Sequence, residues 1–341
     1  MARTLGCMTM LVMISLRLPA QKAVPVVSSS PVTSAGAPIH MGDPYAFFAD
    51  GRYYLVGTTS EHEGFQMYRS RDLAHWEKIG WALRKSPGFW ASDLFWAPEV
   101  REYHGKFYMV YSGRVAGQKT PKLLLGLAVS DRPEGPYINL HAPWFDAGYS
   151  AIDGDILIDD DGTPYLYFSR NGTEDGYAYG KIYGVRLTRD LAKPIGQPQL
   201  LMQASQPWEL VHSAVNRCNE GPTVFRHSGL YYMTYSANDT STAAYGIGYA
   251  TANSPLGPWT KSTDNPILKT TPSLGVSGPG HNSIVASQNG KELWIVYHMH
   301  ANPDHPSNDR VVNANRLQFT KDGKLYIEPT QTAQPLHGAK P

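Results

Sequence analysis

The chain has 341 residues, of which 42% are hydrophobic and 17% charged, and its formal net charge is +1. This length allows one large all-β domain or two ordinary domains with a sizeable core. The near-neutral charge gives no indication that the protein binds nucleic acid or an anionic membrane surface. Nothing in the sequence indicates an oligomeric state. The 21 Tyr and 8 Trp suit β-strands and platforms that stack on sugar rings.

Residues 1–22 have the features of a secretory signal peptide: an early Arg, the apolar run CMTMLVMISL and a small residue at Ala20. The run is too short to span a bilayer. Residues 23–38 are rich in Ser, Pro and small residues, which predicts a disordered linker. We therefore expect a secreted or periplasmic protein with one folded domain over residues 39–335. Without the signal peptide Cys218 is the only cysteine, so no internal disulfide can form.

Five segments then repeat one pattern: a polar residue, a short strand, a turn that contains Gly, and a strand rich in aromatic residues. The segments are DPYAFFADGRYYLVGTT, APEVREYHGKFYMVYSG, IDGDILIDDDGTPYLYFS, NEGPTVFRHSGLYYMTYSA and GHNSIVASQNGKELWIVYHMH. Their turns, such as Asp50-Gly51, have the residue types that tight hairpins need for positive φ. With a third and a weaker fourth strand after each hairpin, the pattern predicts an all-β, five-bladed β-propeller with four antiparallel strands per blade.

The first strand of each propeller blade lines the central channel. The leading polar residues of the five segments are Asp43, Glu99, Asp153, Glu220 and His281. If they hold the same place in every blade, they converge around one axial pocket. Four carboxylates in one pocket raise one another's pKa at a cost in folding energy, and such a cost usually accompanies function.

The third segment contains four further acidic residues. Asp155 shares a strand face with Asp153 and is the alternative for the channel position. Asp159, Asp160 and Asp161 fall in the hairpin turn, where we expect solvated side chains. The alternative, a calcium loop, requires a Glu at its twelfth position and a flanking helix, whereas TPYLYFS is typical of a strand.

The segments GDPYAFFADGRYYLVGT, SRDLAHWEKIG, FWAPEV, IDGDILIDDDG, NEGP and GPGHNS occur in this order between Ile39 and Pro329. In that order and spacing the chain resembles glycoside hydrolase family 43. The resemblance implies a five-bladed propeller that cleaves arabinose- and xylose-containing plant polysaccharides and their oligomers, with inversion at the anomeric carbon. It implies no required cofactor.

The resemblance also implies roles for three carboxyl groups: Asp43 as general base, Glu220 as general acid, and Asp153 as the group that tunes the pKa of the acid and orients it. Inverting hydrolysis needs such a pair, with its carboxyls about 6.5–9.5 Å apart. A second carboxylate beside the acid keeps it protonated near neutral pH. Glu99 is expected to support the site from outside this set.

Substrate contacts are expected from the loop PGFWASDLFWAP. Trp96 is predicted to stack on the sugar of the first subsite, and Trp90 and Phe89 are further candidates whose alternative role is to pack the loop. Arg316 is predicted to pair with a site carboxylate or a sugar hydroxyl, with a surface position as the alternative.

Two further expectations concern the surroundings of the pocket. His281 is a candidate for a water or a structural calcium ion on the axis, although calcium prefers oxygen ligands and a hydrogen-bonded structural histidine is the alternative. The insert QASQPWELVHSAVNRC, with Trp208 and His212, is expected to wall one side of the pocket, which favours exo-action.

The sequence therefore predicts a secreted inverting exo-glycosidase, an α-L-arabinofuranosidase or a β-xylosidase, with an oligosaccharide or polysaccharide substrate. Two alternatives remain open. A retaining fructan or sucrose hydrolase on a related propeller should have NDPNG and RDP where this chain has GDPYA and IDG. A non-catalytic sugar-binding propeller should lack one of the three carboxyl groups.

Overall fold

The protein is described by a computed structural model over residues 26–27, 31–118, 122–329 and 334–335. The predicted signal peptide, residues 1–22, lies outside these ranges and stays a prediction. Between Gly42 and Ile327 the strands follow one another in five groups of four. Two single-turn 3₁₀-helices, Pro207–Leu210 and Pro272–Leu274, interrupt them.

In chain order the strands are β1 (Val26–Val27), β2 (Val32–Thr33), β3 (Gly42–Ala49), β4 (Arg52–Thr58), β5 (Gly64–Ser70), β6 (His75–Arg84), β7 (Ala91–Tyr103), β8 (Lys106–Val115), β9 (Leu123–Ser130), β10 (Ile138–His141), β11 (Ser150–Ile158), β12 (Pro164–Glu174), β13 (Tyr177–Leu187), β14 (Pro194–Gln203), β15 (Asn216–His227), β16 (Leu230–Ala237), β17 (Gly246–Ala252), β18 (Thr260–Lys261), β19 (Gly280–Ala286), β20 (Leu293–His300), β21 (Arg310–Phe319), β22 (Leu325–Ile327) and β23 (Gln334–Pro335). Within the described ranges, no helix has the length and hydrophobicity needed to cross a membrane.

Each group of four strands forms an antiparallel sheet in which consecutive strands are neighbours. The first strand of each group contacts the first strands of the two adjacent groups, and β19 closes the ring by contacting β3. The fold is therefore the predicted five-bladed propeller, with β3, β7, β11, β15 and β19 around the axis. Its hydrophobic core is divided into five clusters, one between each pair of adjacent blades.

Three of the five predicted hairpin turns have the expected backbone. Asp50-Gly51, His104-Gly105 and Ser228-Gly229 each have two consecutive positive φ values, which is the requirement of a two-residue type I′ turn. The other two hairpins have longer loops. In the loop 159–163, Asp159 accepts a hydrogen bond from Tyr231 of blade 4 at 2.7 Å, so the acidic triplet is a turn that also contacts a neighbouring blade.

All five inner strands contain the same β-bulge, in which two residues lie opposite one residue of the second strand. The first residue of the bulge has a left-handed backbone in every blade. These bulge residues are Asp43 (φ 51), Ala97 (φ 44), Asp153 (φ 56), Gly221 (φ 56) and His281 (φ 46). Such a conformation is unfavourable for residues other than glycine and is concentrated at functional sites.

The bulges correct the expectation that the five leading residues hold equivalent positions. Asp43, Asp153 and His281 are bulge residues, but Glu220 lies one residue before its bulge and Glu99 lies two residues after the bulge residue of its own blade. Because the bulge turns two consecutive residues toward the same end of the channel, Glu220 still lies near Asp153. Glu99 does not line the cavity, since side chains beyond the bulge point elsewhere.

The N-terminal part of the fold also differs from the prediction. Residues 31–38 were expected to belong to a disordered linker, but β2 pairs in parallel with β6 of blade 1. The following residues hold blade 1 to blade 5, because Met41 N–H donates to Arg310 C=O at 2.9 Å and Val312 N–H donates to Ile39 C=O at 3.0 Å. The ordered chain thus begins before residue 39.

Blades 3 and 4 share a further contact beside the channel. The extended strand β13 pairs in parallel with β15, with Gly180 opposite Cys218. A Cβ at Gly180 would lie 2.5 Å from Cys218 Sγ and 2.8 Å from Asn219 C=O. The glycine therefore permits the close approach that holds the strand of Glu220 against blade 3.

The closure of the ring gives a test of stability. Ser283 Oγ accepts from Ala46 N–H and donates to Pro44 C=O, each at 2.9 Å, and so joins blade 5 to blade 1. Ser283→Ala leaves two buried backbone groups unpaired, and we expect the free energy of unfolding in urea to fall by about 2–3 kcal/mol. Ser169→Ala is the matched control, because that hydroxyl is buried without a hydrogen-bond partner among the described residues. Equal losses in both variants would contradict the prediction.

Candidate active site

A cavity of about 480 Å³ opens at one end of the channel. All five blades contribute to its lining, which includes the first bulge residue or the residue before it from each inner strand, as well as residues at the rim. The residues are His40, Met41, Gly42, Asp43, Thr58, Thr59, Ser60, Glu61, Trp96, Ile152, Asp153, Asn171, Glu220, Thr240, His281, Asn308, Asp309 and Arg310. The structure thus brings Asp43, Asp153, Glu220, His281 and Trp96 together, as predicted from sequence.

Asp43 is almost fully buried and surrounded by donors. Arg310 Nη1 lies 2.7 Å from Oδ1, the Thr58 hydroxyl donates to Oδ2 at 2.6 Å, and His281 Nδ1 lies 3.3 Å from Oδ1. Burial by itself raises the pKa of Asp43, but the guanidinium of Arg310, together with the neighbouring imidazoles and the Thr58 hydroxyl, outweighs burial and holds that pKa well below its usual range. Asp43 is therefore ionised at neutral pH.

The backbone of Asp43 is also fixed. Its N–H donates to Nδ1 of His298 at 3.1 Å, and burial holds the pKa of His298 well below its usual value, so this ring is neutral. Since Nδ1 accepts, the proton of the neutral imidazole is on Nε2. The ring of Tyr245 stacks parallel to His298 with centroids 5.7 Å apart.

Glu220 and Asp153 have the opposite electrostatic character to Asp43. Burial raises the pKa of both carboxyls, and the charge of Glu220 raises that of Asp153 further. Tyr245 donates to Glu220 Oε1 at 2.7 Å, and Cys218 Sγ lies 3.3 Å from Oε2. The pair therefore retains a proton at a pH where Asp43 has lost its own, which is the separation that general acid–base chemistry requires.

Two glycines make these contacts sterically feasible. A Cβ at Gly42 would overlap the guanidinium of Arg310, and a Cβ at Gly280 would overlap the ring of Tyr245. Each glycine directly precedes a bulge residue. The Gly before Asp43 in GDP and the Gly before His281 in GPGH are therefore explained by close packing. Each leaves room for a side chain that contacts Asp43 or Glu220.

The rim of the cavity is bridged at three blade junctions. Thr240 donates to Asn308 at 2.9 Å, His40 Nδ1 lies 2.8 Å from Asp309, and Trp96 Nε1–H donates to Glu61 at 2.7 Å. Trp96 is half-buried and lines the cavity. The bridging residues come from five separate parts of the chain and line this side of the cavity.

The expected wall from the insert before Glu220 is not found. Trp208 packs on Tyr235 of blade 4, with ring centroids 6.0 Å apart, and neither it nor His212 lines the cavity. The insert instead covers blade 4, where buried Glu209 accepts from Lys261 and Tyr235.

Phe89 and Trp90 are also absent from the cavity lining. Phe89 packs edge-on against Phe95, with centroids 5.5 Å apart, and Trp90 Nε1–H donates to the Tyr111 hydroxyl at 2.6 Å. Both belong to the core between blades 1 and 2. Their position is that of the alternative, packing of the loop, and a substrate contact stays a prediction that this cavity does not support.

Glu99 and Asp155 occupy a separate buried layer deeper in the channel. Asp155 Oδ2 accepts from Val224 N–H at 2.7 Å and Oδ1 lies 3.3 Å from Arg101. Burial and the neighbouring Asp155 raise the pKa of Glu99 well above its usual value. Asp153, and not Asp155, is thus the cavity carboxyl of blade 3, because the bulge separates two residues that a regular strand would place on one face.

Arg310, and not the predicted Arg316, is the arginine of β21 that lines the cavity. Arg316 pairs with Glu292 at 3.1 Å and lines a second cavity beyond the channel, six residues or about 20 Å from Arg310 along β21. The sequence signal for Arg310 was its place at the start of that strand, beside the loop at the rim. Thr58 and His298 were missed because they lie on second strands, and Tyr245 because it lies just before the third strand of its blade.

Asn171 is a further cavity residue that sequence reasoning did not identify. It lies on β12, and its side-chain oxygen is buried without a hydrogen-bond partner in the described part of the chain. A buried acceptor of this kind usually has a partner. It is therefore suited to accept a hydrogen bond from a bound hydroxyl group.

The predicted metal role of His281 finds no support in the donor set. Its Nε2 is buried and has no hydrogen-bond partner among the described residues, while Nδ1 faces Asp43. Calcium prefers six to eight oxygen ligands. Across the described ranges, no group of three or more His, Cys, Asp and Glu residues could hold a metal ion. These side chains do not fit a calcium ion bound directly by protein.

Comparison with known proteins agrees with this geometry. The sequence profile of glycosyl hydrolases family 43 matches residues 35–325. A β-D-galactofuranosidase of Aspergillus niger is 28% identical over 94% of this chain and 92% of that protein. An extracellular exo-α-(1→5)-L-arabinofuranosidase of Streptomyces avermitilis is 27% identical over 92% of this chain but only 66% of that protein. A β-xylosidase of Xylanibacter ruminicola is 27% identical over 69% of this chain and 75% of that protein.

Solved structures give the same result. A thermostable family-43 glycoside hydrolase is 44% identical, with a TM-score of 0.83 over 89% of this chain and 96% of that chain. A Bacteroides thetaiotaomicron structure described as an endo-1,4-β-xylanase is 32% identical, with a TM-score of 0.75 over 87% of this chain and 97% of that chain. The protein belongs to glycosyl hydrolases family 43: it is a glycoside hydrolase with a five-bladed β-propeller fold, and its substrate is a carbohydrate.

Proposed function

We propose that this protein is a secreted, inverting exo-glycosidase that releases arabinose or xylose from plant cell-wall polysaccharides or their oligosaccharides. The observation that carries the proposal is the contrast among three carboxyl groups in one cavity. Asp43 is held ionised by Arg310, while Glu220 and Asp153 retain a proton. A glycosidic bond is broken with inversion by one carboxylate and one carboxylic acid acting from opposite sides.

In this proposal each carboxyl has one role. Asp43 accepts a proton from the water that attacks the anomeric carbon, and Glu220 donates a proton to the departing oxygen. Asp153 lies beside Glu220, and ionisation of either carboxyl disfavours ionisation of the other, so the pair keeps one proton near neutral pH that Glu220 can donate. Trp96 offers a ring face for the sugar and Asn171 offers an acceptor for one of its hydroxyl groups.

Two features support exo-action and secretion. The bridged rim between blades 4, 5, 1 and 2 limits the cavity on that side, which suits a chain end or side branch better than the middle of a polysaccharide. The N-terminal sequence predicts a signal peptide, and one relative is named extracellular. A structural calcium ion stays a prediction that the described side chains do not support.

A second candidate sugar is galactofuranose, because a relative named β-D-galactofuranosidase matches this chain over nearly its whole length. A galactofuranosyl residue keeps the five-membered ring of an arabinofuranosyl residue and adds one carbon. Nitrophenyl α-L-arabinofuranoside, β-D-xylopyranoside and β-D-galactofuranoside, measured in parallel with arabinan and arabinoxylan, separate the candidates by kcat/KM. Proton NMR of the first product anomer tests inversion, and the retained anomer would support the fructanase-like alternative.

The catalytic assignment predicts the behaviour of two isosteric variants. Asp43→Asn and Glu220→Gln should each lower kcat on a natural oligosaccharide at least about a hundredfold, because each removes one proton transfer. Glu220→Gln should be much less impaired on a dinitrophenyl glycoside, whose leaving group needs no proton, whereas Asp43→Asn should be impaired on both substrates.

Glu99→Gln is the control for these variants. Glu99 is also a buried carboxyl of an inner strand, but it lies outside the cavity and its pKa is raised, so a neutral amide resembles its ordinary state. Its variant should keep near-normal activity. Near-normal activity of both Asp43→Asn and Glu220→Gln on the natural substrate would contradict the catalytic assignment. Tight sugar binding by the wild type with no turnover on any pentoside would instead favour the sugar-binding alternative.

The ion pair of Arg310 with Asp43 predicts a pH effect. Without the guanidinium the pKa of Asp43 rises, so the base stays protonated to a higher pH and the acidic limb of the kcat/KM profile moves to higher pH. Arg310→Gln should show this shift. Arg316→Gln, on the same strand but outside the cavity, should leave the limb in place. An unchanged acidic limb in Arg310→Gln would rule out Asp43 as the base that sets it.

A further inference from the structure

One hydrogen bond between neighbouring blades recurs around the channel. The donor is the backbone N–H of a bulge residue. The acceptor is a side chain on the second strand of the preceding blade. In that blade the acceptor residue pairs with the inner-strand residue just before the bulge. The acceptors are Thr58 Oγ1 for Ala97 (2.9 Å), Ser112 Oγ for Asp153 (3.2 Å), Ser236 Oγ for His281 (2.7 Å) and His298 Nδ1 for Asp43 (3.1 Å). Each bond therefore joins two blades at the level of the cavity.

The junction between blades 3 and 4 departs from this pattern. Ser169 holds the equivalent position, opposite Ile152. It is fully buried, and its hydroxyl has no hydrogen-bond partner among the described residues. The N–H of Gly221 donates instead to Oδ2 of Asp153 at 3.2 Å. A cavity carboxyl thus makes the bond that a hydroxyl or imidazole side chain makes at the other four junctions.

Two successive bonds consequently connect blade 2 to the peptide that follows Glu220. Ser112 accepts from the backbone of Asp153, and the carboxyl of Asp153 accepts from the backbone of Gly221. Ser112 lies on β8, is fully buried and does not line the cavity. It cannot contact substrate there, so any effect it has on hydrolysis must pass through Asp153.

We propose that Ser112 is a positioning residue for hydrolysis, which holds the backbone of Asp153 and thereby fixes the carboxyl of Asp153 relative to Glu220. This inference rests on the proposed function, because the spacing of the two carboxyls matters only if they cooperate in proton transfer. The backbone of Asp153 is left-handed, with φ 56, which a side chain with a Cβ disfavours. Without the hydrogen bond to Ser112, we expect the backbone of Asp153 to shift toward a less strained conformation and to displace its carboxyl. Small displacements of catalytic groups lower the rate by large factors.

The test compares Ser112→Val with Ser112→Thr, two side chains of the same shape of which only threonine has a hydroxyl. Thr58 shows that threonine fits at the equivalent position. Measured on a natural oligosaccharide, whose departing oxygen needs a proton, the valine variant should lose about tenfold in kcat with KM changed less than about twofold. The threonine variant should keep near-normal kcat. If the valine variant does not fold, Ser112→Ala replaces it with the same expectation.

Ser169→Ala is the matched control, since Ser169 is equally buried at the equivalent position and its hydroxyl makes no bond among the described residues. Its kcat should equal that of the wild type, and thermal unfolding is recorded for all variants. Equal kcat for the valine and threonine variants, or an equal loss in Ser169→Ala, would overturn the positioning role. Asp43→Asn and Glu220→Gln are measured alongside: if they stay fully active, the proposed function has failed, not only the role of Ser112.

Discussion

The cavity depends on one distortion that is repeated in the inner strand of every blade. A regular strand directs alternate side chains to opposite sides, so it would present one residue to the mouth of the channel and hide the next. The bulge turns two consecutive residues toward the mouth. Glu220 precedes its bulge and Asp153 begins its own, yet both line the cavity. The fold therefore concentrates acidic groups that the strand period alone would separate.

Such concentration is costly unless each charge has a partner. Asp43 has one in Arg310, which reaches it only because Gly42 has no side chain. Glu220 and Asp153 form no ion pair within the described residues, and burial raises the pKa of both, so the pair retains a proton. The same physical requirement, that buried charge be compensated or neutralised, thus produces an ionised carboxylate at one place and a protonated carboxyl at another, as the proposed base and acid require.

The blades themselves follow from short-range patterns. Gly-containing turns such as Asp50-Gly51 and alternating aromatic strands specify hairpins locally, and five copies of such a unit specify a propeller. Asp43, Asp153 and Glu220 could be found because each opens a repeat. Arg310 could not be distinguished from Arg316 in this way, because both lie on one strand and only the length of that strand decides which end reaches the cavity.

The sequence by itself determined the all-β architecture, the number of blades and the identity of three carboxyl groups in the cavity, because a repeated local pattern encodes them. Only the tertiary structure decided which neighbours each carboxyl has. The bulges moved Glu99 away from the cavity, close packing placed Phe89 and Trp90 in the core, and strands distant in sequence supplied Arg310 and Tyr245. The physical reason is that electrostatic and hydrogen-bonding partners act across distances of a few ångströms in space, which the spacing of residues along the chain does not encode.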